Sequence, residues 1–234
     1  MEESLITRYR PMTLDEVWGN DTIKEKWRGY VERREFPKSI ILEGNYGLGK
    51  TSLALIFAND IMRLAEANKN GVLGADLHKF GRLDYEYKHI GEIVVNRRST
   101  LTSPTVFFMD EVQMMPTKTQ ELLITPIDYY KYLYFIFATT NPNDVDTALK
   151  ERSDHFGVEA PPTPVLIKEI GKIAKKEGVS FEDDALEELI KKSKRNPRNC
   201  IKNVGTFYGC KGSVTKKKVQ DQLLPNVGSG HTEQ

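Results

Sequence analysis

The sequence predicts an α/β fold: a parallel sheet flanked by helices, followed by a small three-helix domain. Three observations carry this prediction. Apolar runs of strand length alternate with helix-length segments over the first two thirds of the chain, the pattern of parallel β-α units. One such run passes through a glycine-rich loop straight into a helix. Pro161-Pro162-Thr163-Pro164 then ends the alternation, and the segments beyond it read as helical.

Residues 1–36 precede the first strand. Thr13-Leu14-Asp15-Glu16-Val17 reads as a capped helical turn, and Asn20 to Arg34 as a helix with Ile23, Trp27, Tyr30 and Val31 on one face. Ser39-Ile40-Ile41-Leu42-Glu43 is a short buried strand, and 51–66 a helix. Residues 67–80 are ambiguous, with Gly71 and Gly74 marking turns. Leu83-Asp84-Tyr85-Glu86-Tyr87 alternates like a strand, and Ile90 to Arg98 fits a helix. Residues 105–109 form an apolar strand, Lys118 to Ile127 a helix, and 132–138 another strand. Val145 to Glu151 is a short helix, and 156–159 a last strand.

Beyond the prolines, residues 165–177 place Leu166, Ile170, Ile173 and Ala174 on one face. Residues 182–194 do the same with Leu186, Leu189 and Ile190, and Asn196-Pro197 opens a third helix holding Ile201 and Val204. The expected organisation is an α/β domain over 1–160, a helical lid over 161–212 and an extension over 213–234, partly disordered.

A chain of 234 residues with 39% hydrophobic and 29% charged residues buries a sizeable core and is typical of a globular protein. No apolar run approaches a membrane span, and the acidic start Met1-Glu2-Glu3-Ser4 is no secretory signal. Cys200 and Cys210 suit neither a disulfide framework nor a zinc site, and read as helix-packing residues. A reducing cytoplasm, bacterial, phage or comparable, is the expected compartment. Residues 161–234 carry a net charge of +5 and residues 1–160 a net of −4. The basic bias fits nucleic-acid contact and a solvated surface equally well.

Gly44-Asn45-Tyr46-Gly47-Leu48-Gly49-Lys50-Thr51 fits G-x-x-x-x-G-K-[ST] between a strand and a helix. The glycines let backbone N–H groups turn toward an anion, and the helix N-terminus adds a positive dipole end. The expectation is a nucleotide site built on residues 44–51 and Ser52. Lys50 reaches the β/γ-phosphates, and the Thr51 hydroxyl holds Mg²⁺. Asp110-Glu111 ends the 105–109 strand, where open parallel sheets bind ligands. Asp110 is expected to order Mg²⁺ through its water shell, and Glu111 to polarise the attacking water.

Further motifs narrow the class. Tyr9-Arg10-Pro11, running on to Asp15-Glu16-Val17-Trp18-Gly19, resembles the opening of clamp-loader ATPases and their AAA+ relatives. The resemblance implies that Tyr9, Arg10, Pro11 and Val17 lie on the adenine. Ala138-Thr139-Thr140-Asn141 resembles sensor 1, which makes Thr140 a ligand of the γ-phosphate or of its attacking water. Glu151-Arg152-Ser153 stands where clamp-loader subunits carry Ser-Arg-Cys, implying that Arg152 is an arginine finger acting on a neighbouring subunit. Local pairing of Arg152 with Glu151 or Asp154 is the alternative. Asn196-Pro197-Arg198 resembles the sensor 2 segment, with Arg198 coupling nucleotide state to the lid.

The chain also departs from that pattern. Glu-Arg-Ser replaces Ser-Arg-Cys, and Gln113 stands where many relatives have His. No cysteine cluster follows the glycine loop, and the chain ends soon after the lid, where clamp-loader subunits continue into a collar. The resemblance therefore implies a collar-less member, a shortened chain, or an assembly held differently.

Its leading implication is an ATPase subunit that loads a sliding clamp on primer–template DNA within a ring or spiral of subunits. Arg97 and Arg98 are candidate backbone contacts, or else a solvated helix end. Met114-Met115-Pro116 is either a clamp-facing loop or core. The runner-up is a translocating motor similar to the Holliday-junction branch-migration ATPase. That family inserts a β-hairpin where only Asp128-Tyr129-Tyr130-Lys131 intervene here, and it carries a C-terminal winged helix. A third reading is a nucleotide-gated scaffold with slow or no hydrolysis.

Overall fold

The computed structural model describes residues 3–66, 76–97 and 104–223. Five strands, β1 (Ser39–Glu43), β2 (Asp76–Phe80), β3 (Thr105–Met109), β4 (Leu133–Thr139) and β5 (Asp154–Gly157), pair in parallel in the order β2-β3-β4-β1-β5. After β1 the chain crosses to the sheet's far edge, returns through β3 and β4, and then passes β1 to form β5. The order therefore reverses at β1, and the carboxyl ends of β1, β3 and β4 frame the crevice expected at such a point.

Alternate residues of the central strands feed two apolar layers. Ile40 and Leu42 of β1, Val106 and Phe108 of β3, and Ile136 and Ala138 of β4 join Trp27 and Phe57 on one face. Ile41, Phe107, Met109, Phe135 and Phe137 join Ile90, Leu123 and Leu149 on the other. Burial on both faces explains why these strands read as continuous apolar runs. Trp27 of α2 (Asp21–Arg33) stacks on Phe57 of α3 (Lys50–Glu66) at 3.7 Å, while its indole N–H donates to Asp60. The large ring is thus fully buried with its one polar atom satisfied.

Three expectations change. The strand read over 83–87 is instead a helical turn, Arg82–Asp84, leading into α4 (Tyr87–Arg97). On a strand Leu83, Tyr85 and Tyr87 would share a face; here Tyr85 is buried, while Leu83 is 95% exposed and Tyr87 56%. The edge strand lies earlier, within the ambiguous stretch, with Phe80 opposite Met109.

The single helix expected over 118–127 is two, α5 (Thr117–Leu122) and α6 (Ile124–Tyr129). Pro126 has no N–H to give the Leu122 carbonyl, so the ladder breaks there. The last strand starts two residues earlier than expected, at Asp154. Val158 beyond it still donates its N–H to Glu43 O.

By contacts the chain separates into two compact units, one of Pro11–Glu159 and one of residues 1–10 with 160–234. The second holds α8 (Thr163–Lys176), α9 (Asp183–Lys192), α10 (Pro197–Gly205) and a further helix, α11 (Lys216–Gln222), in the stretch read as an extension. Their apolar faces bury Leu166, Ile170, Leu189, Ile201 and Val204. A short helix, α1 (Leu5–Arg8), packs on α10, where a side chain at Gly205 would press on Leu5.

Glu177 ties the N-terminal segment down, accepting hydrogen bonds from Arg8, Tyr9 and Tyr208. Those bonds, Tyr208's first, hold its carboxyl below the usual range. Cys200 packs within α10, and burial pushes its thiol up to about 11. Cys210 follows that helix and is only half-buried. Among the described residues no helix is long and apolar enough to cross a membrane. The part of the 213–234 extension beyond Leu223, and with it the disorder expected there, falls outside the described residues.

Candidate functional site

The glycine loop between β1 and α3 is shaped by its glycines. Gly44, Gly47 and Gly49 have φ of 154°, 74° and 103°, a region that side chains disfavour. At Gly44 a Cβ would collide with the carbonyl oxygen of Val158. The first bond of α3 runs from Leu53 N to Gly49 O, so the N–H groups of the preceding turn have no acceptor within the helix.

Lys50, 8% exposed, folds its ammonium into the loop and donates to Gly44 O (2.6 Å) and Asn45 O (3.0 Å). Tyr46 lies over that ammonium, with its ring centroid 5.7 Å away and its side chain largely exposed. Leu48 packs against the apolar layer below. A cation, helical N–H groups and a glycine-rich cradle together suit a polyphosphate.

Thr51 in the first turn of α3 donates its hydroxyl to Asp110 Oδ2 at 3.0 Å. Asp110 directly follows β3, and its other carboxylate oxygen accepts the Glu111 N–H at 3.1 Å. Glu111 adopts the left-handed conformation, φ 57°. Below this turn Tyr85 donates to the Asp110 carbonyl oxygen. Burial first, and then the nearby carboxylates Asp110, Glu111 and Asp84, push its phenol far up and keep it a donor. Two hard oxygen donors, Thr51 Oγ1 and Asp110 Oδ2, fit the demands of Mg²⁺, which keeps most of its waters.

Thr139 ends β4 beside this turn, and Thr140 follows it. The amide of Gln113 joins both, accepting from Thr139 Oγ1 (2.9 Å) and donating to Thr140 Oγ1 (3.1 Å). The structure therefore brings together Lys50, Thr51, Asp110 and Glu111, with Thr140 tied in through Gln113. Sequence reasoning gave Gln113 and Tyr85 no part. The available signal was a polar side chain, Gln113, inside the apolar stretch Val112 to Met115.

Residues 40–161 match the profile of the ATPase family associated with various cellular activities, AAA. The chain belongs to the AAA family of ATPases. It is similar to the replication factor C small subunit of Thermoplasma volcanium, with 24% identity over 222 residues, covering 94% of this chain and 69% of that protein. It is also similar to the small subunit from Archaeoglobus fulgidus, with 28% identity over 189 residues, covering 80% of this chain and 58% of that one. Among solved structures, the Thermotoga maritima RuvB Holliday junction branch migration motor matches with a TM-score of 0.72. Its identity is 23%, over 92% of this chain and 72% of that one, and the likeness shows the shared fold.

The other candidate residues take these positions. Arg152 directly follows α7 (Thr147–Glu151). It pairs not with Glu151 or Asp154 but with Asp128 of α6, its Nε 3.1 and 3.0 Å from the two carboxylate oxygens, while NH1 donates to Ala148 O. Val17 is buried in the apolar layer beside α2, and Pro11 is half-buried in the same unit. Tyr9, Arg10 and Arg198 belong to the helical unit, Arg198 as an exposed residue in the first turn of α10. Ser52 is the third residue of α3. Met115 is core, whereas Met114 is 42% exposed. Arg97 ends α4; its side chain, like the whole of Arg98, lies outside the described residues.

Proposed function

We propose that this chain is an ATP-hydrolysing subunit of a clamp-loader-type assembly, acting with like subunits on primer–template DNA and a sliding clamp. One observation carries the chemistry: a glycine cradle, a cation and two carboxylates converge at the carboxyl ends of β1 and β3. In this reading the loop N–H groups and Lys50 hold the phosphates, and Thr51 and Asp110 hold Mg²⁺. Mg²⁺ held there would neutralise charge developing on the phosphate oxygens. Glu111 takes a proton from water as the water oxygen bonds to Pγ and the bond to the ADP oxygen breaks. Thr140 donates to the γ-phosphate or that water, and Arg152 acts on a neighbouring subunit's nucleotide. The roles of Tyr9, Arg10, Pro11, Val17 and Arg198 rest on motif position alone.

Similarity to replication factor C small subunits over most of the chain supports the clamp-loader direction. The translocating-motor reading has less support, because only three residues separate the end of α6 from β4, where that family inserts a hairpin.

The deciding experiment is steady-state ATP hydrolysis by the full chain, alone, with primed DNA, and with primed DNA plus the cognate clamp, against Lys50→Ala as control. Joint stimulation by DNA and clamp is expected. Stimulation by DNA alone would favour the translocating motor. No stimulation by either would point to a missing partner subunit or collar, or to the scaffold.

A further inference from the structure

Gln113 lies two residues beyond Glu111, in the helical turn Val112–Met114. Its side-chain amide bridges two hydroxyls at the end of β4, and the polarity of that bridge follows from the backbone. The Asn141 N–H donates to Thr139 Oγ1 at 3.1 Å. Thr139 is fully buried, so its hydroxyl, already accepting there, places its own proton on Gln113 Oε1 at 2.9 Å. An amide that accepts at its oxygen presents its NH₂ at the other end. Nε2 therefore donates to Thr140 Oγ1, 3.1 Å away. A hydroxyl that accepts from Gln113 points its own proton elsewhere. The relay begins at a backbone N–H and ends on Thr140 as a donor.

We propose that Gln113 is a positioning residue for γ-phosphate chemistry: it orients the Thr140 hydroxyl as a donor toward the γ-phosphate or the attacking water. It also links the Asp110-Glu111 segment to the end of β4, so the catalytic carboxylate and the phosphate-facing hydroxyl are set by one side chain. The inference rests on the role given to Thr140 above. Without Gln113 the Thr140 proton rotates freely, and its hydrogen bond is not ready when charge spreads over the phosphate.

The test is single-turnover ATP hydrolysis with the full chain in excess over labelled ATP, together with ADP affinity and thermal melting. Gln113→Met keeps the length of the side chain and removes both hydrogen bonds. A fall in the hydrolysis rate of about tenfold is expected, with ADP affinity within about twofold of the parent. Gln113→His is expected to recover most of the rate, because a neutral imidazole also offers one donor and one acceptor. Thr140→Val should be slow by itself, and adding Gln113→Met to it should slow it no further.

Several outcomes overturn the inference. A parental rate in Gln113→Met does so, as does a double variant slowed by the product of the single effects. A parallel loss of rate, ADP affinity and melting temperature would make the role merely structural. A parental rate in Thr140→Val removes the role of Thr140 itself, and the relay with it; a slow Thr140→Val beside a normal Gln113→Met removes only the relay.

Discussion

Thr51 and Asp110, 59 residues apart in sequence, meet through a 3.0 Å hydrogen bond between the Thr51 hydroxyl and an Asp110 carboxylate oxygen. One opens the helix after β1, and the other closes β3. Neither strand touches the other, since β4 lies between them. The pair sets two hard oxygen donors beside the glycine loop, and these would hold Mg²⁺ in the proposed reaction. Thr51→Val keeps the shape and removes one of these oxygens. Its ATP affinity should lose about tenfold of the gain that magnesium brings, with affinity in chelator unchanged. Fluorescent-nucleotide titration with and without magnesium reads this, and an undiminished magnesium response would refute the pair as a metal site.

Glu111 is held in a left-handed turn directly after Asp110. Glu111→Gln keeps the size and loses the base. Nucleotide affinity should remain within about threefold, while turnover falls at least ~100-fold. A normal kcat would remove Glu111 as the catalytic carboxylate.

Arg152 is anchored at its Nε by Asp128 and at NH1 by the Ala148 carbonyl. Both partners of that ion pair are partly exposed, so its loss should cost under about 1 kcal/mol of stability. Arg152→Ala should leave ATP affinity of the isolated chain unchanged and abolish assembly-stimulated hydrolysis. Full stimulation in that variant would mean that Arg152 does not act across subunits.

Gly44 combines a φ of 154° with a backbone so close to Val158 that no Cβ fits. Gly44→Ala should destabilise the chain by about 2–4 kcal/mol. Urea unfolding measures it, and a loss below about 1 kcal/mol would show that the loop relaxes freely.

Lys38 gives a pH signature. Burial, and then the charge of Lys131, lower its ammonium from the ordinary lysine value of 10.5 to about 8. Between those pH values the unfolded chain binds the proton more tightly, so stability rises as pH climbs from about 8 to 10.5. Below about 8 both states are charged, and the folded one bears the full burial penalty. Lys38→Met should therefore stabilise the protein near pH 7 by up to about 1 kcal/mol after solvent screening, with the advantage fading through that window. The ring of Tyr134, 4.0 Å from the ammonium, and the Lys131 carbonyl oppose this gain. A stability change that does not vary with pH would show that burial does not govern Lys38.

Much of the architecture and several candidate site residues were legible in the sequence by itself. Strands 39–43 and 105–109 are buried on both faces and so spell themselves as apolar runs, and the glycine loop announces itself because few residues tolerate its dihedrals. Lys50, Thr51, Asp110 and Glu111 follow from those landmarks, since each is adjacent in the chain to the element that positions it.

What the tertiary structure alone decided are relations across the fold. Leu83-Asp84-Tyr85-Glu86-Tyr87 has strand periodicity over five residues, too few to separate a strand from a turn leading into a helix; the edge strand fell instead to Asp76–Phe80, where pairing with β3 satisfies the backbone. The break between α5 and α6 needed only one missing N–H, at Pro126. Arg152 found Asp128 rather than its sequence neighbours, because the end of α7 sets its guanidinium beside α6. Gln113 found Thr139 and Thr140 because β3 and β4 are hydrogen-bonded neighbours in the sheet. Local pattern records which residues prefer which backbone. Hydrogen bonds between distant polar side chains depend on strand order, and strand order is set only once the sheet has assembled.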